Sequence, residues 1–581
     1  MISIRETLGK HNIRVKGLLH KIAIVLVVFA ILGITYMRIY LGASIPLLLQ
    51  ADAKYDDYLL VHYADSIYNN NWLGDYSHTT YLKVASSSVL MVIGRVLGLD
   101  YGLGLALLYV VSVAILVLSL NKLIDNKIWT VCTYVFLLFS PIMFHAENVQ
   151  KIYRGGYIVS LSLLVIAGTV GIFASSKESL SNLIKWTILE SICLPIFWFL
   201  KEDSMWLLLF VCVGMLISIV SIVINKANKS LVRILLCIIP LFVLMCSRFA
   251  YSEKNYTEYA LRAETDRSGT AFADVISDLL HIKDASEDTS WVTRDALHKA
   301  CSASATLGTI EDTLMEVYDA RSEQNGNVDG DFVIMAIREA ASEEGIYNTN
   351  AAGTEQFYRN IDNELKQAFA EGFLEREDNR IYISHVSRGY TVDEIKTYYK
   401  DRFVDNMLML ISYDHNETDV KQSTGSDDNM ALMREYAGDK YITETTDTQT
   451  MKLYNNTVGL ISRITDMYRM SAKTICKVAM VGFLLSIVVG IMTFIYHKTT
   501  QGESFEISAD LWLLVISLGL FLTCILMVIA VIWFCNFLTD WKVYDYCSAI
   551  IPIIELLESI GIYLFIKNMY LIGRRVYGHI H

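Results

Sequence analysis

The stretch 81–98, YLKVASSSVLMVIGRVLG, decides how this chain is threaded. It is apolar enough to pass for a membrane crossing, yet Lys83 and Arg95 interrupt it. A helix needs about 20 consecutive apolar residues to span the hydrocarbon core. Runs of that kind occur near 20–41, 101–120, 127–145, 157–175, 183–200, 205–225, 230–250, 473–497, 509–536 and 546–567. Whether 81–98 crosses sets the side of every connection that follows it.

Basic residues concentrate on the cytoplasmic side of membrane helices. Arg5, Lys10, Arg14, Lys16 and Lys21 precede the first apolar run, with no small-residue cleavage site after it. The run reads as a retained first span with residue 1 in the cytoplasm. If 81–98 crossed, Lys122 and Lys127, then Lys226, Lys229 and Arg233, and finally Arg574 and Arg575, would all face outside. If it lies along the outer surface, all of them fall inside. The second threading predicts ten crossings, cytoplasmic termini, and external segments at 42–100 and 251–472.

Composition agrees. The 581 residues are 53% hydrophobic, with a mean hydropathy of +0.38, too apolar for a soluble chain of this size. A net charge of −12 and the lack of a basic patch exclude nucleic acid as a partner. Of 10 cysteines only Cys301 lies in the polar segment, and no C-x-x-C pair exists, so the cysteines read as small packing residues. Within 251–472, the stretches 332–344, 354–370 and 391–412 place apolar residues at helical spacing among charges. The expected fold is therefore mainly α, a polytopic membrane helical bundle with surface helices in its first external loop and a mostly helical external domain. The predicted organisation is a transmembrane module at 1–250 whose first external loop is 42–100, an external domain at 251–472, and C-terminal spans at 473–581.

Against this threading a few basic residues stand on the wrong side. Lys151 and Arg154, in NVQKIYRGGY, precede a span that enters from outside, as does Lys201 in LKEDS. Lys83 opens the surface helix. Each lies near a helix N-terminus, where free N–H groups and the dipole favour an anion such as a phosphate. Gly155 and Gly156 allow close backbone approach beside Arg154. The bland account makes these residues, with Tyr153, Tyr157 and Trp206, interfacial anchors, and pairs Lys201 locally with Glu202 or Asp203. The first external loop adds Asp52, Asp56 and Asp57 directly beyond the first span. A carboxylate there can act as a general base on a hydroxyl, or Asp56 can simply cap a helix.

These residues together resemble the GT-C superfamily of membrane glycosyltransferases, which includes protein O-mannosyltransferases and aminoarabinose transferases. Their motif order is similar to that of a group of bacterial members with Asp-Asp, Trp-Leu-Gly-x-Tyr, Tyr-Arg and Arg-Glu-Glu motifs. Here these are Asp56–Asp57, Trp72-Leu73-Gly74-Asp75-Tyr76, Tyr153–Arg154 and Lys201-Glu202-Asp203. The chain departs from them at Lys83-Val84-Ala85-Ser86, where Lys-Gly-Pro-Gly is usual. It departs again at Lys201, where Arg is usual and could hold a phosphate bidentately.

The resemblance implies inverting transfer of a sugar from a polyprenyl-phosphate donor to a glycan or glycolipid acceptor on the outer face of a bacterial plasma membrane. Asp56 or Asp57 would be the base. Arg154, Lys83, Lys201, Lys151 and Tyr153 would hold the donor phosphate, with Asp52, Glu202 and Asp203 in support, and membrane lipids would surround the donor's tail. No cofactor is predicted, and a divalent metal is left open. Two rival functions use the same residues: a transporter or flippase for a lipid-linked or anionic substrate, and a non-catalytic scaffold with an external binding domain. NGNVDGDF at 325–332 has the outline of a calcium loop, but its twelfth position is Ala336 rather than Glu, so it reads as a turn with Asp331 capping the next helix. His145 reads as a residue at an outer helix end.

Overall fold

A computed structural model describes residues 2–287, 289–323, 326–500, 509–535, 538 and 540–578. Among them every named element is helical, and extended pairing is limited to isolated bridges such as Leu47 with Tyr441. Among the described residues ten helices are long and apolar enough to cross a membrane: Lys21–Ala43, Tyr101–Ile124, Lys127–Phe144, Gly155–Ser175, Leu180–Trp198, Ser204–Ile224, Ser230–Tyr259, Thr448–Tyr496, Ala509–Phe534 and Ser548–Arg574. The protein is a polytopic helical membrane bundle. The stretch 81–98 yields only the helix Ser86–Val96, 11 residues long. At about 1.5 Å per residue it reaches roughly half the hydrocarbon thickness. Several spans outrun their apolar runs, because a helix continues into water wherever capping or packing supports it. The eighth belongs to a continuous helix, Thr448–Thr500, that starts far outside the apolar run near 473.

The fourth span, Gly155–Ser175, is buried along almost its whole length. It packs against the second, fifth and sixth spans and is the centre of the bundle. Two glycines, Gly482 and Gly561, let the eighth and tenth spans cross at close range, since a Cβ on either would strike the other helix's backbone.

Successive connections collect at alternate ends of the bundle. At one end Gln150 of the third connection donates to Pro46 O and Asp419 O (both 2.7 Å), and Lys542 of the ninth lies 3.9 Å from Glu147. At the other end Lys122 meets Glu178 at 2.6 Å, and Arg233 donates to Ser176 O and Glu178 O.

The polar segment between the seventh and eighth spans divides its packing. Residues from Ala271 to Leu374 form a core of their own around Leu279, Leu297, Ile337 and Ile361. Further on, Met409, Leu410, Tyr413, Met433 and Tyr436 belong to the same apolar core as the spans. A third cluster joins Leu59, Tyr63, Tyr81 and Leu82 of the first connection to Phe199, Tyr251, Tyr259 and Ala351. The first connection is thus clamped between the bundle and the polar segment. Buried Arg338 secures it by pairing with Asp266 and donating to His78 O.

Candidate active site

Five side chains from widely separated segments form one connected network at the end of the bundle where the first, third and fifth connections meet. Lys83 Nζ donates to Asp56 Oδ1 at 2.9 Å and to Tyr153 Oη at 2.7 Å. Arg154 Nη2 donates to the same tyrosine oxygen at 3.0 Å, and its Nη1 to Glu202 Oε2 at 2.6 Å. Glu202 Oε1 accepts the Val84 amide at 3.2 Å, which closes the circuit beside Lys83.

Local structure explains how they meet. Arg154 is the residue before the fourth span, held in helical conformation at its N-terminus. Glu202 lies in the short turn between the fifth and sixth spans. Lys83 sits in the irregular stretch ahead of Ser86–Val96, whose path is set by Ser86 N donating to Phe199 O. Gly155 and Gly156 serve packing: a Cβ on either would strike the turn at Glu147 and Asn148, so the close backbone approach they allow is taken up by the chain itself.

Lys83 and Arg154 are 8% and 7% exposed, while the Asp56 side chain is 61% exposed. Asp56 is therefore reached by water although protein crowds it. Burial pushes its carboxyl up, but the charge and hydrogen bond of Lys83, then Arg154 and Tyr153, more than offset this and hold it below the usual range. Burial likewise works against ionised Glu202. The Arg154 guanidinium, then Lys83, prevail and bring it down to about 2. Arg154 would lose its proton more easily by burial, but Glu202 and Tyr153 hold it firmly charged.

Asp57 has a different environment. It opens the helix Asp57–Tyr68, is 2% exposed, and its Oδ2 has no hydrogen-bond partner among the described residues. Burial pushes its carboxyl up to about 7, with nearby Lys151 only partly opposing. Asp56 occupies the N-cap position of that helix, but its side chain makes no capping bond; it turns to Lys83 instead.

The remaining sequence-predicted residues lie apart from the network. Lys151 pairs with Glu147 at 2.8 Å. Lys201 pairs with Asp203 at 3.3 Å and stands 5.0 Å from the ring centre of Tyr546. Asp52 accepts the Ser426 amide and hydroxyl and Asn429 Nδ2, tying the first connection to Asp427–Ala437.

Sequence reasoning passed over Glu147 and Tyr546, which meet Lys151 and Lys201, and Lys542 and Asp545, which pair with each other beside Glu147. One signal was available: the ninth connection, DWKVYDY, is as charged and aromatic as the others at that end. His145, expected at a helix end, is there and lies 2.8 Å from Asp545. In the calcium-like loop Asn327 accepts the Arg294 amide and Asp329 pairs with Thr289, while Asn325 lies outside the described residues. Asp331 makes no capping bond and pairs with Arg267 at 3.1 Å, so the capping expectation fails there. Among the described residues no group of His, Cys, Asp or Glu is arranged to hold a metal ion.

No family model matches the sequence, and no curated protein does either. A crystal structure of ArnT from Cupriavidus metallidurans in the apo state is similar over 80% of each chain, at 10% identity and a TM-score of 0.30. A score that low carries no argument, so the function has to be read from the site's own chemistry: a water-reached carboxylate linked through Lys83 and Tyr153 to a buried arginine at the mouth of a membrane bundle.

Proposed function

We propose that this protein is a membrane glycosyltransferase of the GT-C type, moving a sugar from a polyprenyl-phosphate donor to a hydroxyl acceptor at the outer face of the membrane. The observation that carries the reading is the network itself, which joins an ionised, water-reached Asp56 directly to buried Lys83, and Lys83 to buried Arg154 through one tyrosine oxygen. Transfer from a lipid phosphate needs a base for the acceptor hydroxyl and fixed positive charge where the phosphate gains it.

In this reading the acceptor oxygen attacks the anomeric carbon with inversion and its proton passes to Asp56. The bond from that carbon to the phosphate oxygen breaks, and polyprenyl phosphate leaves against Arg154 and Lys83. The lipid tail lies along the spans, which places the chemistry at the membrane surface. Asp56 is a better base candidate than Asp57, because Asp57 is sealed from water and from any acceptor. Lys151 and Lys201 are engaged locally by Glu147 and Asp203, and Asp52 holds the first connection in place.

Turnover of a polyprenyl-phosphate sugar by the purified protein in nanodiscs tests this. Asp56→Asn lowers kcat by roughly 10²- to 10⁴-fold, the usual worth of a positioned base, with the melting temperature kept. Wild-type turnover in a folded Asp56→Asn protein removes the general-base assignment.

A further inference from the structure

The groups proposed to bind the donor phosphate already hold an anion that the chain itself supplies. Glu202 takes Arg154 Nη1 on one oxygen and the Val84 amide on the other. A guanidinium N–H, a backbone N–H and a neighbouring ammonium are the donors a phosphate oxyanion uses. Nearby, Lys83 feels Glu202 strongly enough to help keep it ionised.

Glu202 also has a way out. It sits in a short turn rather than inside a helix, and its side chain is partly open to water. Arg154 cannot follow, because it is buried at the start of the central span and bonded to Tyr153.

We propose that Glu202 is an internal counter-anion which the donor's phosphate displaces, so that donor binding is an exchange of anions on Arg154 and the Val84 amide. This rests on the glycosyltransferase reading and deepens it by giving Glu202 a role opposite to that of a phosphate-positioning residue. The exchange keeps buried Arg154 neutralised at every stage, which avoids the cost of an unpaired buried charge. It also makes the site selective for ligands that carry a full negative charge, because a neutral head group cannot replace a carboxylate there.

The sign of one binding change separates the two roles. The probe is decaprenyl monophosphate, titrated against the full-length protein in nanodiscs of zwitterionic lipid. Glu202→Gln keeps the shape and the acceptor for Val84 N but removes the competing charge. The exchange predicts that its Kd falls by roughly tenfold, equivalent to about 1.4 kcal/mol. Glu202→Asp keeps the charge and stays within a few-fold of wild type.

If Glu202 only positions Arg154, Glu202→Gln weakens binding or leaves it unchanged, and the inference is overturned while the functional reading stands. If neither wild type nor variant binds the probe, the functional reading fails and takes the inference with it. Should Glu202→Gln not fold, the wild-type and Glu202→Asp proteins carry the test through decaprenol, the uncharged alcohol. It must fail to compete with decaprenyl phosphate, and competition by it overturns the exchange.

Discussion

The two ends of the bundle use the same kinds of residue for opposite purposes. At the end bearing the second, fourth and sixth connections, basic side chains finish the helices. Arg233 spends its guanidinium on the carbonyls of Asn228, Ser176 and Glu178, at 2.9, 2.9 and 2.7 Å. Lys122 is taken by Ser175 and Glu178 at 2.9 and 2.6 Å. Arg233 thus satisfies carbonyls left over just beyond a helix C-terminus, and Lys122, in the last turn of its own span, is held by side-chain oxygens at the end of the neighbouring one. At the other end Arg154 and Lys83 stand at helix N-termini, where the backbone needs anions rather than cations. There they are held by side chains, Glu202, Asp56 and Tyr153, and Arg154 Nε has no hydrogen-bond partner among the described residues. Charge that caps a helix is spent, whereas charge held against the local dipole is available.

The comparison breaks most completely if the two ends face the wrong compartments. The proposed threading puts the Arg154 end outside, and a membrane-impermeant maleimide applied to intact cells reads this all or none. Gln150 is a poor reporter because it is 1% exposed. Lys366→Cys, on an open helix face of the polar segment, and Lys127→Cys, at the opposite end, are accessible positions. Labelling at 366 and protection at 127, each judged against the parent chain, is the expected pattern. The reverse pattern overturns the sidedness and with it the outer-face chemistry.

A smaller effect separates the two adjacent aspartates at the candidate site. The folded state holds the Asp57 proton up to about pH 7, far above the ordinary carboxylate value. The stability from this proton is therefore complete below about pH 4 and is lost as pH rises through about 7. Asp57→Asn keeps the shape and cannot ionise. It should melt at the wild-type temperature near pH 4 and above it near pH 8, where the stability difference is on the order of a few kcal/mol. Equal melting of the two proteins at both pH values would contradict the buried, unpartnered state of Asp57. Asp56, with a lowered carboxyl, moves stability the other way, and only as the solution becomes acidic.

Much of this arrangement was legible before any coordinates. The length of each apolar run foretold the ten spans found among the described residues, because hydrocarbon thickness acts on sequence directly, while the side of each connection rests on the basic residues alone. The same side argument singled out Lys83 and Arg154; Asp56 came from the acidic cluster of the first loop, and Tyr153 and Glu202 from the motif resemblance, and the fold brings the five together. Lys201 and Lys151 were picked by the same rule, yet pair locally with Asp203 and Glu147. Proximity to a helix end says nothing of which neighbour a flexible ammonium will find.

The buried polar groups inside the spans were invisible. Arg38 donates to Leu138 O and Met143 O, and Glu555 accepts from Ser140 and Tyr413. Arg38 stands alone in its apolar run and Glu555 has only Glu558 near it, while the partners of both come from other segments. The split of the polar segment was equally hidden, since the apolar spacing of 391–412 is the same whether it packs on its own domain or on the spans.

The smallest expected effect lies at the capping end, and it is the control that gives the comparison its meaning. Lys122 and Glu178 form a partly exposed pair far from the candidate site. Such pairs contribute about 0.2–1 kcal/mol and are screened by salt. Lys122→Gln keeps a donor for Ser175 and Glu178 while removing the charge, so its melting temperature should drop slightly at low salt and match wild type near 1 M. Donor binding and turnover should stay at wild-type values, because Lys122 bonds to Ser175 and Glu178 and to no member of the network around Arg154. A large loss of decaprenyl phosphate affinity in Lys122→Gln would mean that the lysine is not merely spent on a helix terminus. The division of the bundle into a capping end and a binding end would then fail where the structure makes it look most secure.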